Sequence, residues 1–132
     1  MPRATDEPTD DFFYAFMEEF TDAHNRGDVD AIESHYHIPF FSYKNGQLEV
    51  YLDAKSGRDS TVRWIEVNRT ERPALWERIS SSLTRQGLNS VLVTSRWAFR
   101  RPDGTAVWDF FDTYHLCRFE GRWLFLDRTV HD

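Results

Sequence analysis

Two short turns near the C-terminal end constrain the fold of this chain more than any other feature. The turns at 101–104 (Arg-Pro-Asp-Gly) and at 120–121 (Glu-Gly) separate segments in which apolar and polar residues alternate. Such alternation is typical of half-buried β-strands. Because side chains alternate across a strand and a tight turn fixes the pairing, these turns determine which side chains share a face. The stretch 90–130 therefore predicts three antiparallel strands joined by two hairpins.

The turn lengths also predict the register of these strands. A three-residue loop in the first hairpin pairs Phe99 with Val107, and a two-residue turn in the second pairs Cys117 with Leu124. Extended along the strands, these pairs predict one shared, mostly apolar face. Its members are Val91, Val93, Ser95, Trp97, Phe99, Val107, Asp109, Phe111, Thr113, His115, Cys117, Leu124, Leu126, Arg128 and Val130. The ionisable groups in this face, with Glu77 from an earlier strand, suggest a cupped sheet lined for a small molecule.

The opposite face of the same strands is rich in aromatic rings. In this register it carries Trp108, Phe110, Tyr114, Trp123 and Phe125, together with Asp112 and Asp127. A monomer would expose these rings, and large exposed apolar patches mark interfaces. We therefore predict a homodimer through this outer sheet face, with contacts from Trp108, Tyr114, Trp123 and Phe125.

The start of the chain predicts two helices after a flexible tail at 1–10. From Asp11 onwards apolar residues fall three and four apart, which indicates a helix that Asp10 or Asp11 caps and that ends at residues 25–27. Asp28 can cap a second, short helix, which Pro39 would stop.

The middle of the chain contains a hairpin signal and an ambiguous segment. Asn45-Gly46 is a strong two-residue turn signal. The apolar residues of 58–72 fit either a strand or a helix, and we favour a helix capped by Asp59 or Ser60 and ended by Pro73. The predicted elements in this region are strands at 40–43 and 48–52, the helix at 58–72 and a strand at 75–84.

Composition narrows the partners that this chain is expected to have. Of 132 residues, 40% are hydrophobic and 16% aromatic, which suits one domain with its own core, predicted at 11–132. The net charge of −6 disfavours nucleic acid and anionic membranes, since both attract basic surfaces. Cys117 has no second cysteine to pair with, and no apolar run reaches the length of a membrane span. We expect a cytoplasmic protein.

Two segments of the chain carry a resemblance to a known superfamily. The first is 24–32 (His-Asn-Arg-Gly-Asp-Val-Asp-Ala-Ile), followed by Tyr36 and Pro39, and the second is the closing hairpin 114–123 (Tyr-His-Leu-Cys-Arg-Phe-Glu-Gly-Arg-Trp). Together with the element order, they make the chain resemble the nuclear-transport-factor-2-like fold, in particular its SnoaL-like and ketosteroid-isomerase-like members. The resemblance spans roughly 11–130. It implies an α+β, cystatin-like cone in which a strongly curved, mainly antiparallel sheet wraps around N-terminal helices and encloses a pocket.

The resemblance also places three residues relative to the ketosteroid isomerases. It puts His115 where those enzymes carry an acid of their oxyanion hole, Phe20 in place of their catalytic tyrosine and Lys44 near their carboxylate base. Because two of the three chemical groups are absent, we do not expect steroid isomerisation by that mechanism.

The predicted face provides three candidate catalytic residues. His115 can exchange a proton near neutral pH, Arg128 can hold a carboxylate or polarise a carbonyl, and Asp109 can act as a base when burial raises its pKa. Each residue also has a purely structural alternative. His115 could be a hydrogen-bonded histidine of the core, and Arg128 could form an ion pair with Asp109 or Glu77. The two carboxylates could instead lie at a solvated rim.

Further residues are candidates for ligand contact. They are Trp97, Phe111 and Thr113 from the sheet and Tyr14, Phe20 and Tyr36 from the helical region. The alternative for the two tyrosines is a place in the core with a satisfied hydroxyl. His24, His35 and His37 do not have ligand spacing with matching carboxylates or cysteines, so we expect no metal and no cofactor.

These observations leave two hypotheses for the function. In the first, the protein binds a small organic molecule in the pocket, with His115 as acid or base of a cofactor-free isomerase, dehydratase or cyclase. In the second, the same fold serves as a non-catalytic ligand-binding or dimerisation module. The interior volume discriminates between them, because a cone packed solid leaves no room for a ligand.

Overall fold

The computed structural model describes residues 7–70 and 74–131. In this part of the chain three helices pack on a curved sheet of six strands. The helices are α1 (Asp10–Arg26), α2 (Val29–Glu33) and α3 (Ala54–Thr70), and the strands are β1 (Tyr36–Lys44), β2 (Gln47–Tyr51), β3 (Leu75–Arg85), β4 (Ser90–Arg100), β5 (Ala106–Phe119) and β6 (Arg122–Val130). The α+β fold and the element order predicted from the sequence are thus confirmed, and only Pro73 and parts of the predicted tail and third helix lie outside the described residues.

The strand order makes one long sheet with one parallel pair. The order is β2-β1-β6-β5-β4-β3, and all neighbours are antiparallel except β1 and β6. The chain can place β1 beside β6 because α3 and three long strands lie between them in sequence, which leaves ample length for the parallel crossover. The helices cover the concave face of this sheet.

Helix α1 closes one end of the cone. Thr9 caps it by accepting a hydrogen bond from the backbone N–H of Phe12, and Gly27 ends it at φ 68°, a left-handed conformation that glycine adopts without steric cost. The predicted C-terminal end is confirmed, but the predicted cap at Asp10 or Asp11 is wrong by one or two residues. Phe13 and Met17 lie one helical turn apart and are fully buried against the sheet.

Helices α2 and α3 differ in how well the sequence predicted them. Asp28 caps α2 as predicted, accepting from the N–H of Ala31 at 3.1 Å. For α3 the predicted cap is wrong, because Asp53 accepts from the N–H of Ser56 and the helix begins several residues before Asp59. Pro39 does not stop a helix either, since it lies inside β1.

A bulge in the first C-terminal hairpin changes the predicted register. Next to the turn Arg100 pairs with Ala106, as the predicted loop requires, but Val107 is then an extra residue on β5 and Phe99 pairs with Trp108. Every β5 residue beyond this point is therefore shifted by one position. Since a shift of one exchanges the two faces of a strand, the faces predicted for β5 are reversed.

A second bulge lies between β5 and β6. Cys117 pairs with Leu124 as predicted, and Leu116 pairs with Phe125, but His115 then pairs with Asp127, which leaves Leu126 as the extra residue. Beyond this bulge the even-numbered residues of β6 face inward. Arg128 is inward-facing as predicted, although its neighbour on β5 is Tyr114.

The bulge at Val107 overturns the predicted dimer contacts. Tyr114, Trp123 and Phe125 are buried in the core under the helices, and Trp108 is half-buried against the same cluster. Their rings therefore stabilise the fold by burial, each by roughly 2–3 kcal/mol relative to an exposed position. They are not available as an outer contact surface, and the homodimer itself stays a prediction.

Candidate functional site

The cone encloses a cavity of about 890 Å³ between the helices and the concave face of the sheet. Four of the five tryptophans contribute to its wall. The main aromatic residues of the wall are Phe20, Tyr36, Phe40, Trp64, Trp76, Trp97, Trp108 and Tyr114. The volume is in the range of small-molecule sites in proteins. The cone is therefore not packed solid, which was the condition set from the sequence for a ligand.

A buried ion pair lies at the inner end of the cavity. Asp112, with only 1% of its surface exposed, accepts hydrogen bonds from Arg128 Nε at 2.9 Å and from Trp97 Nε1 at 2.7 Å. The side chain of Arg128 is 21% exposed and lines the cavity. No hydrogen bond to its Nη1 or Nη2 is found among the described residues, so the outer edge of the guanidinium remains available to a ligand.

The inner end also holds two tyrosines, Tyr36 and Tyr114, whose hydroxyl groups interact with each other. Burial raises the pKa of Tyr36 well above its usual value, and burial raises the pKa of Tyr114 to about 12. Both hydroxyls are therefore protonated at neutral pH. Each hydroxyl carries one proton and the two groups can share at most one of these, so at least one proton can be donated to a third group. The guanidinium of Arg128 lies over the ring of Tyr114, 5.7 Å from its centroid.

Two polar atoms in the cavity wall lack partners. The Nδ1 of His24 and the Nε1 of Trp76 are buried and have no hydrogen-bond partner among the described residues. The two rings lie side by side, with centroids 5.6 Å apart. Burial, with the nearby charges of Arg128 and His35, lowers the pKa of His24 to about 3. His24 is therefore a neutral imidazole at physiological pH, and unpaired buried groups of this kind favour a polar ligand or water.

The mouth of the cavity is lined by charged residues of both signs. Glu33 accepts from the hydroxyl of Thr61, and Glu49 accepts from that of Tyr51. Lys44 Nζ lies 4.7 Å from the centroid of the Trp108 ring, and Arg63 lies on the same rim. The rim thus has two cations and two anions.

Four of the residues predicted from the sequence meet at this cavity. Arg128, Trp97, Phe20 and Tyr36 all line it. Tyr14 does not line it; its ring lies near Arg78 of β3, whose guanidinium is 6.0 Å from the ring centroid.

The predictions that His115, Phe111 and Thr113 line the cavity are wrong. The bulge at Val107 turns these three residues to the convex face of the sheet. There the His115 ring contacts Ser90 Oγ at 2.6 Å and Asp127 Oδ2 at 3.2 Å. The alternative of a histidine bonded to its neighbours fits this arrangement, and the proposed acid–base role of His115 loses its geometric basis.

The two predicted carboxylates are also on the outside. Asp109 forms an exposed, bidentate ion pair with Arg96, which lowers the pKa of its carboxyl group. Glu77 pairs with Arg100 at the end of the sheet. The carboxylate on the concave side is Asp112, which bonds Arg128 behind the cavity wall and which the predicted register sent outward.

Sequence reasoning thus missed Asp112, Tyr114, Trp108 and His24 as site residues. A signal for the first three was present. One face of β5 carries Trp108, Phe110 and Tyr114, which offer far more apolar area than the face with Thr113 and His115. Burial of the larger rings would have favoured the register that the structure has.

The sequence of the whole described region matches one family. Residues 6–132 match the family described as NTF2-like protein (DUF6841). The chain belongs to this NTF2-like family. No curated protein matches the chain.

Solved structures of NTF2-like and cystatin-like proteins share the fold. An NTF2-like protein of unknown function from Shewanella oneidensis MR-1 superimposes with a TM-score of 0.72 at 17% identity, over 92% of this chain and 98% of that chain. A protein of unknown function with a cystatin-like fold from Nostoc punctiforme PCC 73102 gives 0.74 at 10% identity, over 94% and 92%. An NTF2-like protein of unknown function from Pseudomonas putida KT2440 gives 0.73 at 12% identity, over 91% and 83%. At these identities the similarity concerns the fold alone.

Two kinds of site are absent from the described residues. Within 7–70 and 74–131 no helix is long and apolar enough to cross a membrane. The same residues contain no group of three or more histidine, cysteine or carboxylate side chains placed to hold a metal ion.

Proposed function

We propose that this NTF2-like protein binds a small organic molecule in the cavity, with a polar oxygen of the ligand at Arg128. The observation that carries this proposal is the guanidinium at the inner end of an aromatic cavity of about 890 Å³. Asp112 holds the Nε side of the guanidinium and so fixes its orientation. An oriented donor at the end of an apolar cavity is the arrangement by which such sites position a ligand.

The wall supports the same proposal. Trp64, Trp76 and Trp108 present large ring surfaces that a flat ligand can contact, and each fully covered ring contributes more apolar area than an aliphatic side chain. The unpaired atoms of His24 and Trp76 would gain a partner from a ligand or from the water it carries.

A neutral fluorescent probe tests the proposal. N-phenyl-1-naphthylamine becomes brightly fluorescent in apolar surroundings, and we expect it to bind with one site per chain. Ser42 lies in β1 on the cavity wall, so Ser42→Trp should fill part of the cavity and abolish the fluorescence increase. Ser82→Trp is the matched control, since Ser82 is exposed in β3. Equal binding by both variants would contradict the proposed site.

The donors at the inner end favour one second candidate, a cofactor-free isomerase or lyase. Arg128 and the tyrosine hydroxyls could stabilise an oxyanion that develops on a bound ligand. His24, with a pKa of about 3, is a weak base, so it is poorly suited to remove a proton. With buffer base or deuteroxide taking up the proton and the donors stabilising the enolate oxygen, exchange of the α-protons of 2-acetylnaphthalene in D₂O should be faster with the protein than in buffer alone, and an unchanged rate would exclude this candidate.

A further inference from the structure

The cavity carries no net charge, which restricts the ligands that it suits. Its lining includes the cations Arg128, Lys44 and Arg63 and the anions Glu33 and Glu49, and Asp112, which is buried behind Arg128 and does not line the cavity, supplies the third negative charge. His24 is neutral and both buried tyrosines are protonated. Arg128 alone would favour a carboxylate, but Asp112 already compensates its charge at 2.9 Å. A second anion at the same guanidinium would lose its hydration and meet repulsion from Asp112.

Away from the mouth, most of the hydrogen-bonding groups that line the cavity are donors, and the unpaired Nδ1 of His24 donates or accepts according to its tautomer. Arg128 offers its Nη groups, the Tyr36–Tyr114 pair offers one hydroxyl proton, and Trp76 offers an unpaired Nε1–H. A carbonyl oxygen accepts two hydrogen bonds and brings no charge, so it matches these donors. A ligand without an acceptor would leave the same donors buried and unpaired, at a cost of about 1–3 kcal/mol each.

From these two observations we infer that the ligand is a neutral, planar, conjugated carbonyl compound. Its carbonyl oxygen lies at Arg128 and the tyrosine pair, and its ring system lies among Trp64, Trp76 and Trp108. This inference rests on the proposed function and adds the class of ligand to it.

Three probes with the same ring system test the ligand class. 2-Acetylnaphthalene has a neutral carbonyl, 2-naphthoate has a carboxylate, and 2-ethylnaphthalene has neither. Binding is measured by equilibrium dialysis, which is unaffected by overlap with tryptophan absorption. We expect the ketone to bind about tenfold more tightly than either of the other two, as two added hydrogen bonds without a charge allow.

Each outcome of this comparison has one meaning. If none of the three binds, the proposed function fails together with the inference. If 2-naphthoate binds most tightly, or 2-ethylnaphthalene binds as tightly as the ketone, the cavity is a ligand site but the inferred ligand class is wrong. Preference for the ketone supports both.

Single-atom variants test the placement of the carbonyl. Tyr36→Phe and Tyr114→Phe each remove one hydroxyl, and we expect at least one of them to weaken ketone binding about fivefold while 2-ethylnaphthalene binding is unchanged. Tyr43→Phe on the convex face is the control and should leave the binding of both probes unchanged. If neither cavity variant alters the ketone preference, the placement is overturned.

A charge variant tests the neutrality argument independently. Asp112→Asn gives the inner end a net positive charge, so the preference should move towards 2-naphthoate by roughly tenfold or more. If that variant does not fold, Glu33→Gln at the mouth should shift the preference in the same direction by a smaller factor. Unchanged preference in the folded variant would overturn the argument from charge.

Discussion

At the scale of single residues, Asp112 connects the stability of the fold to the shape of the cavity. It is an almost fully buried carboxylate whose two partners, Arg128 and Trp97, both line the cavity. Burial raises the pKa of Asp112, while the charge of Arg128 opposes that rise. Asp112 therefore holds the side chains of Trp97 and Arg128 in place and compensates the positive charge of Arg128.

Replacement of Asp112 should destabilise the protein substantially. Asp112→Asn leaves the charge of Arg128 without its partner, and breaking a buried ion pair costs about 3–5 kcal/mol. We expect a loss at the lower end of this range because Arg128 lines the cavity and is partly exposed there. Urea denaturation measures the loss. The control is Asp109→Asn on the same strand, which breaks an exposed ion pair with Arg96 and should leave the stability almost unchanged. Equal losses in both variants would contradict the role assigned to Asp112.

The low pKa of His24 predicts a pH dependence of stability. The folded-state pKa is about 3 and the ordinary value is 6.5, so between these pH values the unfolded chain binds a proton that the folded protein does not. The contribution of neutral His24 to the free energy of unfolding is complete above pH 6.5. It is lost as the pH falls towards 3, by at most about 1.4 kcal/mol per pH unit.

The variant His24→Phe isolates this effect. Because phenylalanine does not titrate, the free energy of unfolding of the variant should fall less steeply than that of the wild type between pH 6 and pH 4. Urea denaturation at several pH values gives both slopes. Identical slopes would mean that His24 is protonated as readily in the folded protein as in the unfolded chain.

At the scale of secondary-structure elements, the sequence predicted the strands and turns but not their bulges. The pairs next to both turns are those that turn length predicts, such as Cys117 with Leu124. Loop length fixes only these first pairs. The bulges at Val107 and Leu126 depend on how the strands bend around the helices, which is a property of the tertiary packing. His115 and Arg128 illustrate the result: one bulge placed His115 outside, and two together left Arg128 inside.

The contact between α1 and β3 gives a prediction at this scale. The side-chain amide of Asn25 binds the backbone of Trp76 twice: Nδ2 donates to the Trp76 carbonyl at 3.0 Å, and Oδ1 accepts from the Trp76 N–H at 2.9 Å. Asn25→Ala should cost about 2 kcal/mol of unfolding free energy and weaken binding of N-phenyl-1-naphthylamine, because Trp76 forms part of the cavity wall.

The matched control is Asp22→Ala, at an exposed position on the same helix. It should change the free energy of unfolding and the affinity for the probe only slightly. Thermal or urea denaturation and the probe titration measure both effects. A stability loss in Asn25→Ala without any change in probe affinity would show that the amide supports the fold but not the cavity wall.

At the scale of the whole molecule, the two faces of the sheet have different surroundings. Its concave face and the helices enclose the cavity, while its convex face is not covered by any helix in the described residues. The convex face nevertheless has apolar side chains, among them Phe111 and Tyr43, which are both 46% exposed, and Leu48 on the edge strand β2. An apolar sheet face without a cover is a common site of self-association.

We therefore expect the homodimer predicted from the sequence to form through the convex face, with contacts that differ from those the sequence suggested. Phe111→Asp places a charge in the middle of this face and should shift sedimentation at micromolar concentration from dimer to monomer, since an unpaired charge is costly to bury.

Phe12→Asp is the control, because Phe12 is 42% exposed on α1, away from the sheet face. A wild-type protein that sediments as a monomer would refute the dimer, and dissociation by Phe12→Asp alone would move the interface to the helical side. Because the cavity opens on the other side of the sheet, Phe111→Asp should leave probe binding unchanged, and this separates loss of the dimer from loss of the fold.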